Sequence, residues 1–329
     1  MSKSRIAVLI PAYKLDFIEA TLTGLCHQTF KDFDVFISDD SANEKISQEI
    51  TKWQSSGLFS NLNLELVIGP KNGFLNHHHL DQRYSPDYEF IHFLMDDDYI
   101  YPTFYEQHLA AHMQNDFCAS VSQRWLSNEE NIPVGRMPDI GFLTNNIGHF
   151  TELDARSLSV MTLPHCYNWL GELSNMLLRP EGKLLFEKPP IAADKLNYHG
   201  LMDIGTCLRL AQRKPLVFIS SFHSNFRQHP NQTTHIHGTW GSRFTRLSWA
   251  SFALASHSRG LLSDQQLQEN WSQFRKLLLA EIPYDQKLIQ PLEIIDYPHT
   301  SLQSKIEHLS EYLFDFYKTN PSLNKITTR

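Results

Sequence analysis

Cysteine is scarce in this 329-residue chain, and the four present, Cys26, Cys118, Cys166 and Cys207, lie far apart with no CxxC or metal-ligand spacing. That pattern excludes a disulfide framework and fits a reducing compartment, so the expected location is cytoplasmic. No apolar run approaches the roughly 18 residues of a membrane span. The opening, Met1 to Arg5 followed by Ile6 to Ile10, is too short for a signal peptide and reads as a buried strand. Positive charge is not in excess: 29 Lys and Arg against 36 Asp and Glu leave a formal net charge of −7, which gives no footing for a general nucleic-acid binder. Repeats and low-complexity tracts are missing. So is a glycine-rich basic phosphate loop after the first strand, where Pro11-Ala12-Tyr13-Lys14 stands instead.

What is present is the composition of a soluble globular protein, 41% hydrophobic and 20% charged, and a β-α-β rhythm in its first third. Ile6 to Ile10, closed by Pro11, Phe33 to Ser38, Leu64 to Ile68 and Tyr88 to Met95 read as strands. Leu15 to His27 and Glu44 to Trp53 carry apolar residues at helical spacing. This alternation predicts an α/β fold with a mixed, mostly parallel sheet flanked by helices, in which ligands bind beyond the carboxyl ends of strands. Two acidic clusters fall on such ends: Asp39-Asp40, and Asp96-Asp97-Asp98 after the apolar run His92 to Met95. Three consecutive carboxylates at a strand tip call for a cation, and hard oxygen ligands suit Mg²⁺ or Mn²⁺ completed by substrate phosphates. Strand alternation puts Asp96 and Asp98 on one face with Asp97 turned away.

Three segments together, Ile6 to Tyr13, Gln28 to Ser41 and Met95 to Pro102, resemble the family 2 glycosyltransferases of the GT-A (Rossmann-like) fold. The resemblance covers roughly the first two-thirds of the chain. It implies a metal-dependent, inverting glycosyltransferase that moves a sugar from a nucleoside-diphosphate sugar, UDP- or dTDP-linked, to a hydroxyl of a glycan, lipid-linked or other acceptor, in cell-surface polysaccharide synthesis. It also implies that Pro11 and Tyr13 border the base, with Tyr13 stacking on it, that Asp39 and Asp40 bind the base, and that Asp96 to Asp98 hold ribose and metal. Counting back from Pro102, the family pattern sets its final two acids at Asp97 and Asp98, so two metal pairs stay open, with Asp98 in both. After the third strand the family's arginine is missing; Gly73 is expected to allow a turn near the diphosphate, with Lys71 or His77 as substitute donor. The run His77-His78-His79 reads as a polar helix face. The other classes are a non-catalytic nucleotide-sugar-binding relative and a sugar nucleotidyltransferase.

For catalysis the candidate is Asp203, at the start of an amphipathic helix in a segment similar to the family's acceptor-site pattern; the alternative is a helix cap. His229 in Phe226-Arg227-Gln228-His229 resembles the segment in which the family's histidine lies near metal or diphosphate, with Arg227 as a leaving-group contact; His235 and His237 are weaker candidates. Residues 134 to 170, rich in Gly, Pro and Asn, read as long loops around an acceptor bound by His165, Trp169 and Glu172, although Trp169 also suits simple packing. The expected division is a catalytic domain over residues 1–238, with a nucleotide-sugar half at about 1–102 and an acceptor half at about 103–238, then a helical region over 239–329. In that region Arg243 to Leu262, Asp264 to Glu281 and Ser304 to Tyr317 carry apolar stripes that face a core, a second copy or a membrane surface on the inner face.

Overall fold

The first apolar run becomes strand β1 (Ile6–Ala12), buried along its whole length. The strand passes through Pro11 rather than stopping there. Backbone groups alternate between neighbouring strands: the Leu9 carbonyl accepts from the Leu94 N–H, whereas the Ala12 carbonyl accepts from the Asp40 N–H. Pro11 thus faces the side of β4 (Phe90–Phe93), where pairing has already ended at Leu9 opposite Phe93, and its missing N–H breaks no ladder bond.

The structure is a computed structural model that describes residues 5–137, 149–186, 198, 200–230, 232 and 237–319. The chain divides into two units. The first comprises Met1–Leu153, Trp169–Phe186 and Arg213–His229; the second comprises Asp154–Asn168, Glu187–Gln212 and Pro230–Arg329.

The first unit is built on one sheet. With β2 (Phe33–Asp39), β3 (Leu64–Ile68), β5 (Tyr99–Ile100), β6 (Ala119–Ser127), β9 (Met176–Leu178) and β10 (Leu216–Arg227), its order is β3-β2-β1-β4-β9-β6-β10-β5. Strand β7 (Pro133–Arg136) joins β6 and β8 (Phe150–Leu153) joins β10. Strands β3, β2, β1 and β4 are parallel, β6 and β10 are parallel, and β9 is antiparallel to both of its neighbours, so the sheet is mixed and most paired residues are parallel. Helices α1 (Ile18–Cys26), α2 (Lys45–Ser55), α3 (Gly73–Tyr84) and α4 (Phe104–His112) accompany it. Ile18, Leu22 and Leu25 of α1 and Phe104, Tyr105 and Leu109 of α4 share one apolar core with Ile6, Val8 and Ile10 of β1. Each such side chain contributes about 1.5–3 kcal/mol by leaving water.

The stretch read as long loops contains regular structure on the described side of residues 138–148. There β8 pairs with β10, and Asp154 caps α5 (Ala155–Thr162) by accepting the Ser157 N–H at 2.7 Å. The cap residue outweighs the loop-like composition around it. The second unit holds α5, α6 (Met202–Ala211), α7 (Trp240–Ser258), α8 (Asp264–Glu281), α9 (Ile289–Asp296) and α10 (Leu302–Thr319). Capping boxes at Thr239/Ser242 and Ser263/Gln266 start α7 and α8. Leu247, Trp249, Phe252 and Leu254 are buried, so the apolar side of α7 serves this unit's own core rather than a lipid surface. No described helix is long and apolar enough to cross a membrane.

Candidate active site

The two acidic clusters lie at the carboxyl ends of parallel strands, and their carboxylates have different surroundings. Asp39 at the end of β2 is fully buried and accepts four hydrogen bonds, from the Ser41 N–H (2.8 Å) and hydroxyl (2.6 Å) and from the Ser47 N–H (2.8 Å) and hydroxyl (2.7 Å). Burial would raise its pKa, but these four donors hold it below the ordinary 3.8. Asp40 accepts from the backbone N–H groups of Lys71 (2.7 Å) and Asn72 (2.9 Å), which ties the loop after β3 to the end of β2. A Cβ on Gly69 would stand 2.1 Å from Asp40 Oδ1, so glycine is required there. Gly73 has open space around it and opens α3, whose cap is Asn72. The Lys71 ammonium donates to the carbonyls of Asp39 and Ser41, and His77 pairs with the Gly73 carbonyl.

Beyond β4 the chain leaves the extended conformation: Asp96 and Asp97 form a turn closed by the Asp98 N–H on the Met95 carbonyl at 3.3 Å. Alternation therefore no longer decides where these carboxylates point. Asp96 Oδ2 accepts the backbone N–H groups of Tyr13 (2.6 Å) and Lys14 (2.7 Å). Asp98 Oδ1 accepts the Arg227 N–H at 3.2 Å, and its carboxylate also meets the Ser174 hydroxyl. Asp97 is the one turned toward the side chains of His229 and Lys14: its Oδ2 lies 3.0 Å from His229 Nε2 and 3.4 Å from Lys14 Nζ, and Lys14 Nζ lies 3.4 Å from His229 Nε2. Burial, and then the neighbouring Asp97 charge, push the Asp96 carboxyl up to about 7 and raise Asp98 well above its usual range.

The turn is held from behind. The Thr21 hydroxyl of α1 donates to the carbonyls of Asp98 (2.8 Å) and Asp96 (3.1 Å). Arg227 donates from Nε to the Asp97 carbonyl (2.7 Å) and from Nη1 to the Glu129 carbonyl, with its guanidinium 4.7 Å above the Phe17 ring. Phe17 in turn meets the His229 ring at 5.0 Å. In front, the Tyr13 side chain is 67% exposed at the end of β1, so its ring is open to a planar partner.

The remaining candidates are distributed over both units. In the first, Glu172 forms a two-pronged ion pair with buried Arg124, whose Nη1 also donates to the Trp169 carbonyl at 3.3 Å. Trp169 is buried and meets Phe218 edge-on. His77 and His78 pack on Phe186 rather than forming a solvated face, and no group of three or more His, Cys, Asp or Glu side chains suited to a metal occurs among the described residues. In the second unit His165 is exposed. Asp203 lies in the first turn of α6 but is not its cap, since that position is Leu201. Its Oδ2 accepts from the Asn168 amide at 2.6 Å and its Oδ1 from the Ile204 N–H at 2.7 Å. Gly205, two residues on, leaves no room for a Cβ, which would stand 2.5 Å from the Tyr198 carbonyl. His237 bonds to Glu281, and His235 lies outside the described residues.

The model of the family described as glycosyl transferase family 2 matches residues 7–173, which include both acidic clusters. The chain belongs to glycosyl transferase family 2. No curated protein compared with this glycosyltransferase matches it. Among solved structures it is similar to S. aureus TarS 1-349 in complex with UDP-GlcNAc, with 15% identity, a TM-score of 0.56, and coverage of 95% of this chain and 91% of that one. It is also similar to GalNAc-T7 with UDP, GalNAc and Mn²⁺, at 11% identity and a TM-score of 0.50, over 88% of this chain and 58% of that one. These likenesses establish the GT-A glycosyltransferase fold.

Four residues that contact the candidate residues of this glycosyltransferase carry no signal in the sequence. Gly69 follows β3, and the steric need set by Asp40 shows only in the fold. Lys14 carries no motif signal beyond following Tyr13. Arg124 and Ser174 stand in apolar or mixed runs, and only the fold brings them to Glu172 and Asp98.

Proposed function

We propose that this glycosyltransferase uses a nucleoside-diphosphate sugar, UDP- or dTDP-linked, together with Mn²⁺ or Mg²⁺, and transfers the sugar with inversion to a hydroxyl of a glycan or lipid-linked acceptor. One observation carries the reading: Asp97 Oδ2 and His229 Nε2 converge to 3.0 Å beside the buried carboxylates of Asp96 and Asp98. Two adjacent ligands of an octahedral ion with bonds of about 2.1 Å stand about 3 Å apart, so this pair suits a small divalent ion. Asp97 here takes the role that strand alternation gives to Asp96, whose Oδ2 is engaged by two backbone donors. A site with few protein ligands is the usual arrangement for an ion completed by substrate phosphates and water. When bound, the ion supplies charge neutralisation for the departing nucleoside diphosphate.

The candidate residues have separable tasks. Tyr13 stacks on the base with its exposed ring, and Asp40, at the end of β2, keeps the neighbouring loop in place while a second lone pair on each oxygen stays available to a base N–H. Asp203 is the general base, and Asn168 fixes the orientation of its carboxylate before it takes the acceptor's proton. Glu172, held by Arg124 and one-quarter exposed, and His165 offer hydrogen bonds to the acceptor.

The test is a panel of UDP-, dTDP- and GDP-sugars with and without Mn²⁺, followed by melting temperature and by release of nucleoside diphosphate. The expected outcome is a melting shift and slow donor hydrolysis with one nucleotide class, both requiring the ion. Binding with no hydrolysis or transfer under any condition would point to a non-catalytic relative. Pyrophosphate release from a nucleoside triphosphate and a sugar phosphate would point to a nucleotidyltransferase.

A further inference from the structure

Lys14 has no task in the reading above, yet its ammonium occupies the most sensitive point of the site. Its backbone N–H is anchored on Asp96, while Nζ reaches 3.4 Å from Asp97 Oδ2 and 3.4 Å from His229 Nε2. These are the two atoms assigned to the divalent ion. The side chain is 20% exposed, and that of Asp97 17%, so the ammonium stands at the mouth of the cluster rather than inside it. We propose that Lys14 is the internal counter-ion of the metal site: in the absence of nucleotide its ammonium and the divalent ion compete for Asp97 and His229. The inference rests on the reading of those two residues as the holders of the ion.

Two cations cannot share these ligands closely. A divalent ion at bonding distance from both atoms would stand within a few ångströms of Nζ, and their repulsion is large where carboxylates are buried. The lysine stem, four carbons long and carrying a compact point charge, can turn outward while its backbone remains on Asp96. A nucleoside diphosphate changes the balance because its phosphate oxygens accept both cations at once. The ion and the diphosphate therefore bind as coupled ligands, each raising the affinity of the other by the same factor. If Lys14 only buttressed the fold through Asp97, its removal would lower melting temperature and leave ion affinity equal or weaker.

The experiment is a titration of the full chain with Mn²⁺, following the free-ion resonance by electron paramagnetic resonance, alone and again with saturating UDP. Wild type, Lys14→Met, Lys14→Gln and Lys14→Arg are compared, each checked by circular dichroism for native melting. The neutral variants are expected to bind Mn²⁺ alone about 10-fold more tightly than wild type, and the enhancement produced by UDP is expected to shrink by the same factor. Lys14→Arg, which keeps the charge, is expected to stay near wild type. Neutral variants with unchanged or weaker Mn²⁺ affinity would overturn the proposal while leaving the metal reading intact. If no form binds Mn²⁺, with or without UDP, the metal reading fails and this inference with it.

Discussion

Asp39 and Asp97 are the same residue type beyond parallel strands of one sheet, and their donors differ in kind. Asp39 receives two backbone N–H groups and two short hydroxyls, all fixed by the turn into α2. Asp97 receives an imidazole and a long-stemmed ammonium, groups that can exchange for an incoming ion. Donors fixed by a local turn make a carboxylate a structural tie, whereas side-chain donors from distant segments mark one that can be handed to a ligand. Both carboxylates look alike in the sequence, and their surroundings separate them.

The comparison is tested most severely by removing the ion. Chelation with EDTA is expected to lower transfer by about 10³-fold or more, with recovery on adding Mn²⁺; full activity in chelator would make Asp97 as structural as Asp39. Next in size, Asp203→Asn is expected to reduce turnover by about 10²–10⁴-fold while UDP binding is retained, measured by steady-state kinetics and calorimetry. A loss confined to binding would remove Asp203 from the chemistry. Tyr13→Ala is expected to weaken UDP about 10-fold with little change in melting temperature, because the ring is exposed; an unchanged UDP affinity would detach the ring from the base.

The smallest effect on activity is expected at Asp39, where the effect on stability is the larger one. Asp39→Asn should cost about 2–3 kcal/mol of folding stability, read by urea denaturation, with turnover of the folded protein near wild type. Because the folded carboxyl lies below its ordinary 3.8, its contribution is complete above that value and is lost as pH falls through the lower folded value. Wild-type and variant denaturation curves should therefore approach one another below about pH 4. A stability gap that stayed constant on acidification would contradict the assignment.

Much of the fold was legible because its signals are local. The apolar runs Ile6 to Ile10, Phe33 to Ser38 and Leu64 to Ile68 announce their strands, which extend to Ala12, Asp39 and Ile68, and the acidic ends follow parallel strands of the mixed sheet. The directions of the three aspartate side chains were not legible, since strand alternation stops at Phe93 and a turn, stabilised from Thr21 and Arg227, takes over. Arg227 reads as a leaving-group contact in sequence, yet its Nε and Nη1 donate to the backbone carbonyls of Asp97 and Glu129. Asp203 illustrates a finer distinction. A carboxylate near a helix start suggests a cap, but Asp203 stands two residues past the cap position, Leu201, and accepts from the Asn168 amide as well as from the Ile204 N–H.

The central claim is that Asp97, with His229, holds the ion that carries the diphosphate, and that Asp39 does not. Calorimetric titration of UDP into wild type, Asp97→Asn and Asp39→Asn, each with and without Mn²⁺, tests it directly. The account predicts Mn²⁺-dependent UDP binding in wild type and in Asp39→Asn and its loss in Asp97→Asn. Equal Mn²⁺-dependent binding by Asp97→Asn and wild type would contradict it.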